Sequence, residues 1–105
     1  MNLDKLLSYG FVKTETEYSV KYLKSADEQM DISVVVGPLA YSKPRSLGSE
    51  FYIEVEVAFI QKSSNRFIHP KSIPEVGQNA FWEGELFAYL PTDILYKMLD
   101  SMNLK

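Results

Sequence analysis

The sequence contains no cysteine. Structural disulfides, thiolate metal ligands and cysteine nucleophiles are therefore excluded. It contains one histidine, His69, whereas zinc sites draw on several His or Cys ligands, so no metal or other cofactor is expected. Long apolar runs are missing too: nothing approaches the roughly 20 residues that span a bilayer. The opening residues Met1, Asn2, Leu3, Asp4 and Lys5 lack the basic region and apolar core of a secretion signal. The expected location is the cytoplasm, with no membrane contact. Glycine is sparse, and Gly37, Gly48, Gly77 and Gly84 stand singly at turn-like places rather than in a phosphate-cradling loop. No G-x-S-x-G is present. Positive charge is not in excess: 11 Lys and Arg against 14 Asp and Glu leave a net charge of −3. That balance argues against a duplex-DNA binder, and nucleic acid is not the expected partner.

What is present fits one globular domain over residues 1–105. At 105 residues a chain buries roughly two-thirds of its unfolded surface, enough for a core without staples. The apolar fraction is 46% and the charged fraction 24%, ordinary for a folded protein and wrong for a disordered one. Seven Tyr and six Phe favour strands.

The patterning predicts an α+β fold: an antiparallel sheet of four to five strands packed by a short N-terminal helix and a C-terminal helix. Leu3, Leu6 and Leu7 share a helical stripe, with Asn2 as cap and Gly10 free to close the helix in the left-handed conformation. Residues 11–24 alternate with period two, as one bent strand or as two strands around 14–17. A polar hairpin loop at 25–29 leads to a strand at 31–36, in which Ile32, Val34 and Val36 face one way. Gly37-Pro38 ends it. The clearest strand is 51–59, where Phe51, Ile53, Val55, Val57 and Phe59 alternate with Glu50, Tyr52, Glu54, Glu56 and Ala58. One apolar and one acidic face mark an antiparallel sheet with a wet side. Ala58 and Ile60 then make both faces apolar, which predicts a cover over that end. Residues 61–79 form a long connection, functional or holding a turn of its own. A last strand spans 81–90, with a bulge expected at Gly84. Pro91, Thr92 and Asp93 start a helix whose buried stripe is Ile94, Leu95, Met98, Leu99 and Met102.

Two surfaces of opposite charge are left for function. The acidic strand face, Glu50, Tyr52, Glu54 and Glu56, offers carboxylates around an aromatic that interfaces favour. The basic loops, Lys43, Arg45, Lys62, Arg66, His69 and Lys71, with Tyr41 and Phe67 beside them, suit an anion or single-stranded nucleic acid through phosphate contact and stacking. No RNP, KH or helix-turn-helix signature accompanies them. A hydrolase built on Glu83, Glu85 and His69 is the remaining chemistry, and the sequence shows no poised partner for any of the three.

No catalytic motif is present and an enzyme is not expected. The expectation is a small binding or regulatory protein acting through a protein–protein surface. In size and charge it resembles immunity-type accessory proteins, and that resemblance of format implies an inhibitor acting on a protein partner. A homodimer through a sheet edge or through a patch of Tyr52, Ala58 and Ile60 is a further expectation. The alternative is a binder of a small anion or single-stranded nucleic acid using the basic 61–79 loop.

Overall fold

The computed structural model describes residues 3–38, 40, 42, 52–68, 82–83 and 86–102. The chain opens on α1 (Lys5–Ser8), one turn long. Gly10 ends it at φ 94°, a conformation that costs a side-chain-bearing residue steric energy. The Gly10 N–H donates to the Leu7 carbonyl at 3.1 Å and the Phe11 N–H to the Leu6 carbonyl at 3.2 Å. This paired closure satisfies two terminal carbonyls and brings Phe11 down beside Leu6. Leu3, Leu6, Tyr9 and Phe11 are buried while Leu7 is exposed. The expected stripe is thus corrected: Tyr9, not Leu7, completes it, because the helix is too short for a second turn. Asp4 takes the N-cap position; the expected cap, Asn2, lies outside the described residues.

Residues 11–24 form two strands, β1 (Val12–Glu15) and β2 (Val20–Ser25). Thr16 closes the loop between them: its hydroxyl accepts from the Tyr18 and Ser19 N–H groups at 3.4 and 3.1 Å. The next loop is held the same way, with Asp27 Oδ1 accepting from the Gln29 and Met30 N–H groups at 2.7 and 2.9 Å. Short polar side chains bond back to nearby backbone readily, which is why they sit at such turns. β3 (Met30–Val36) follows and ends at Gly37-Pro38.

β4 (Glu54–Gln61) is the centre of the sheet. The 61–79 connection does hold its own turn: residues 62–65 reverse the chain, Asn65 adopting φ 56°, and β5 (Arg66–Ile68) pairs back onto β4. The last segment is not the single strand expected over 81–90. It is a hairpin of β6 (Trp82–Glu83) and β7 (Leu86–Pro91), in register at Trp82↔Phe87 and Glu83↔Leu86. Gly84, where a bulge is expected, lies outside the described residues; the β4–β7 pairing is irregular between Val55 and Val57, where β7 spends one residue more than β4. α2 (Thr92–Ser101) closes the fold.

All pairs are antiparallel and the order is β1-β2-β3-β4-β7-β6. β3 lines one edge of β4. The other edge is divided, with β7 pairing Glu54 to Ala58 and β5 pairing Phe59 to Gln61. Both helices pack on one face of the sheet. There Ile32, Val34, Val36, Val55, Val57, Phe59 and Leu90 meet Leu6, Leu95 and Leu99 in one core cluster. Burying each such side chain contributes about 1.5–3 kcal/mol. No helix among the described residues is long and apolar enough to cross a membrane.

Candidate functional site

The sheet face opposite the helices is where the sequence placed the acidic surface. Glu54 and Glu56 lie there, both half-buried, while Val55 and Val57 point into the core. Glu54 stands opposite Pro91, and Glu56 opposite Val35. Beyond Val35 the same row continues to Lys21 and then Thr14. Each Glu therefore sits in a mixed row rather than in a block of like charge. Glu50 lies outside the described residues.

Tyr52 corrects the expected anchor. It is 4% exposed and belongs to the core, whereas Ile53 is 59% exposed. The regular alternation begins only at Glu54. Before it, the backbone bends and is tied to the start of α2: the Thr92 hydroxyl donates to the Tyr52 carbonyl at 2.6 Å and the Thr92 N–H to the Ile53 carbonyl at 2.9 Å. One irregular residue is enough to exchange inside and outside. The patch of Tyr52, Ala58 and Ile60 does not exist as an exposed surface either: Ala58 is buried and Ile60 half-buried. The expected cover at that end is present, since Ser33, directly opposite Ala58, is buried as well.

The exposed apolar surface is further out on the sheet, on β1 and β2. Val12 and Leu23 are register partners, 67% and 36% exposed. Tyr18 stands exposed at the tip of their hairpin. The sequence does carry a signal for this pair: the alternation over 11–24 puts Val12 and Leu23 on one face once the two-strand reading with a four-residue loop is chosen.

Of the basic positions, Lys43, Arg45, His69 and Lys71 lie outside the described residues, as do Tyr41 and Glu85. Arg66 and Phe67 are exposed neighbours on β5. Lys62 is not left to solvent. Its ammonium lies 3.7 Å from Asp31 and bonds to the Ser25 hydroxyl, and its backbone N–H donates to Gln29 at 2.9 Å. The basic hairpin is thus pinned to the β2–β3 loop end of the sheet. Among the described residues no group of three His, Asp or Glu side chains is placed to hold a metal ion.

The perturbed groups gather where α1 meets α2 and the sheet. The Tyr9 hydroxyl donates to Asp100 at 2.7 Å, and that bond, then burial, raises its pKa. Tyr96 stacks on Tyr9 with ring centroids 5.9 Å apart, and Lys5 lies over the Tyr96 ring at 4.7 Å. Burial, with the Tyr9 ring beside it, pushes the Tyr96 phenol up to about 12. Tyr22 is raised by burial, partly opposed by Lys13. Lys13 is raised by its bond to Glu15 at 3.2 Å. Each shift favours the form already present at neutral pH, as expected of packing contacts rather than of an acid or base poised to react.

Compared with known proteins, the chain matches no family model, no curated protein and no solved structure.

Proposed function

We propose that this is a small non-enzymatic binding or regulatory protein that acts on a protein partner through the outer face of its sheet. The observation that carries the reading is the Val12–Leu23 pair, two aliphatic side chains in direct register yet open to solvent. Tyr18, at the hairpin tip beyond the Thr14–Lys21 row, supplies the exposed tyrosine that Tyr52 does not. Lys21, Glu54 and Glu56 lie on the same face and give it a charged border. An apolar centre with a charged border is the usual build of a transient protein interface. An inhibitor or immunity-type role follows if the face occludes the partner's working surface. Affinity capture with the wild-type chain, with Tyr18→Ala/Leu23→Asp and with Glu54→Lys/Glu56→Lys tests it. The expected result is a protein retained by the wild type and lost from the first variant. Equal recovery on all three baits removes the outer face from consideration.

A second reading rests on β5, where Arg66 and Phe67 are both exposed, the cation on one face of the strand and the ring on the other. The cation suits a phosphate contact and the ring a stacked base. Titrating a single-stranded homopolymer or inorganic phosphate at rising salt tests it, because phosphate contacts weaken steeply with ionic strength. Absence of binding at the lowest salt ends this reading.

A further inference from the structure

β1 ends the sheet, and all four of its residues are exposed. No strand covers its far side among the described residues. The phase of its hydrogen bonding follows from one contact: the Thr16 N–H donates to the Ser19 carbonyl at 2.8 Å. Bonding alternates along an antiparallel pair, so Thr14 and Val12 aim their backbone groups at β2. Lys13 and Glu15 then present N–H and C=O outward. Such an open row is a template for another strand, and proteins usually guard it with proline, a bulge, a covering element or charge, lysine above all. β1 has no proline and pairs with β2 in unbroken register. Its lysine is compensated, since Lys13 lies 3.2 Å from Glu15 and 3.9 Å from Asp4.

We propose that β1 is a self-pairing edge: two copies of the chain join antiparallel about a two-fold axis at Thr14, with Lys13 of each opposite Glu15 of the other. The register is selected by charge and by sterics. Keeping both outer faces on one side requires a residue of β1 on the axis. Lys13 or Glu15 on the axis would oppose two like charges, which destabilises a sheet. Val12 on the axis would carry Glu15 onto Tyr9 at the end of α1. Thr14 on the axis places Thr against Thr and an ion pair on either side of it. Lys13 and Glu15 share the face that carries Tyr22, and the Lys13 ammonium lies 5.9 Å from that ring. The four charges of the pair thus gather beside two tyrosines. The outward N–H and C=O groups of Lys13 and Glu15 supply the ladder. A two-fold contact of this kind uses up both edges and cannot propagate into a fibre. The contact involves the chain alone and does not depend on the outer-face reading above.

The test is sedimentation of the purified full chain up to about 1 mM, where even weak self-association is visible. The wild-type mass is expected to rise from 12.0 kDa toward twice that value. Lys13→Glu alone and Glu15→Lys alone should each stay monomeric, since each opposes like charges across the axis. Mixed in equal amounts, the two variants should form a heterodimer, because every Glu then meets a Lys; both have lost the intrachain pair, so only contact between chains restores association. Thr14→Cys supplies an independent readout. The native chain has no cysteine, and residues facing each other in a non-bonded antiparallel pair lie about 4.5 Å apart at Cα, within disulfide range. Thr14→Cys should oxidise to a covalent dimer far faster than Val12→Cys, whose copies are offset along the strand. A wild type that stays at its monomer mass, a mixture that stays monomeric, or crosslinking at Val12→Cys in preference to Thr14→Cys overturns the proposal.

Discussion

The hydroxyl of Tyr9 donates to the carboxylate of Asp100 across 2.7 Å, tying the end of the first helix to the end of the last. The Tyr9 ring lies against Tyr96, whose face is covered by Lys5. α1 is only one turn long, and a helix that short has little stability of its own. It is held by this contact and by Leu3 and Leu6 in the core. Tyr9→Phe keeps the ring and removes the bond. The expected loss is about 1–2 kcal/mol, since the acceptor is charged but remains solvated. The check is a lower urea midpoint with an unchanged slope. Asp100→Asn, which leaves a neutral acceptor in place, should cost less.

Gly10 is the second tie. At φ 94° it turns the chain from α1 into β1, and a Cβ there would come within 2.8 Å of the Lys24 ammonium. The lysine tip can move, so the conformational term decides the outcome. Gly10→Ala should destabilise by about 1–2 kcal/mol. Gly10→Asn should lose less, because Asn tolerates the left-handed region. Thermal unfolding of the pair checks the order. Equal losses would point to the Lys24 contact rather than to backbone strain.

Much of the fold was legible because period and burial agree over long stretches. Ile32, Val34 and Val36 in β3, and Val55, Val57 and Phe59 in β4, alternate without interruption and all face the helices. Leu95, Met98 and Leu99 are spaced as a buried helical stripe, and they are one. Gly10 announced its turn. Errors arose where a single residue changes phase. Extending the β4 alternation back to Phe51 put Tyr52 outside and Ile53 inside, and the bend before Glu54 reverses both. Sequence alone does not show that Thr92, forty positions on, holds that bend. The β4–β5 hairpin had a signal in Ser63, Ser64 and Asn65 between apolar flanks, but a short turn inside a long polar segment is easily read as loop. The candidate site was legible in kind only: Glu54 and Glu56 lie on the outer face as expected, whereas the exposed apolar side chains of that face are Val12 and Leu23 rather than Tyr52.

Thr92 is buried, and its hydroxyl and N–H take up two carbonyls, those of Tyr52 and Ile53. The contact sits where β7 passes into α2 and fixes the bend that puts Tyr52 in the core. Thr92→Val keeps the shape and the N–H bond but leaves the Tyr52 carbonyl without its hydroxyl partner. Losing that bond at a buried acceptor costs about 1–3 kcal/mol. Thr92→Ser should recover most of that loss. Hydrogen exchange gives a local check: amides at the start of β4 should exchange faster in Thr92→Val, while those of β2 and β3 follow global stability alone.

Alkaline pH should unfold the chain through its tyrosines. Tyr9, Tyr22 and Tyr96 all have raised pKa values, Tyr96 reaching about 12. For such a group the folded state holds the phenol proton more tightly than the unfolded chain, whose tyrosines titrate near 10. The stability it contributes is complete below pH 10 and is lost as pH climbs toward 12, because the unfolded state releases its protons first. Lys13, also raised by its bond to Glu15, acts in the same direction. In a phenolate absorbance titration Tyr9, Tyr22 and Tyr96 should therefore ionise together with the loss of circular dichroism. Tyr96→Phe removes the most strongly shifted group and should move the alkaline unfolding midpoint upward. An unfolding midpoint unchanged in Tyr96→Phe would show that this phenol does not limit alkaline stability.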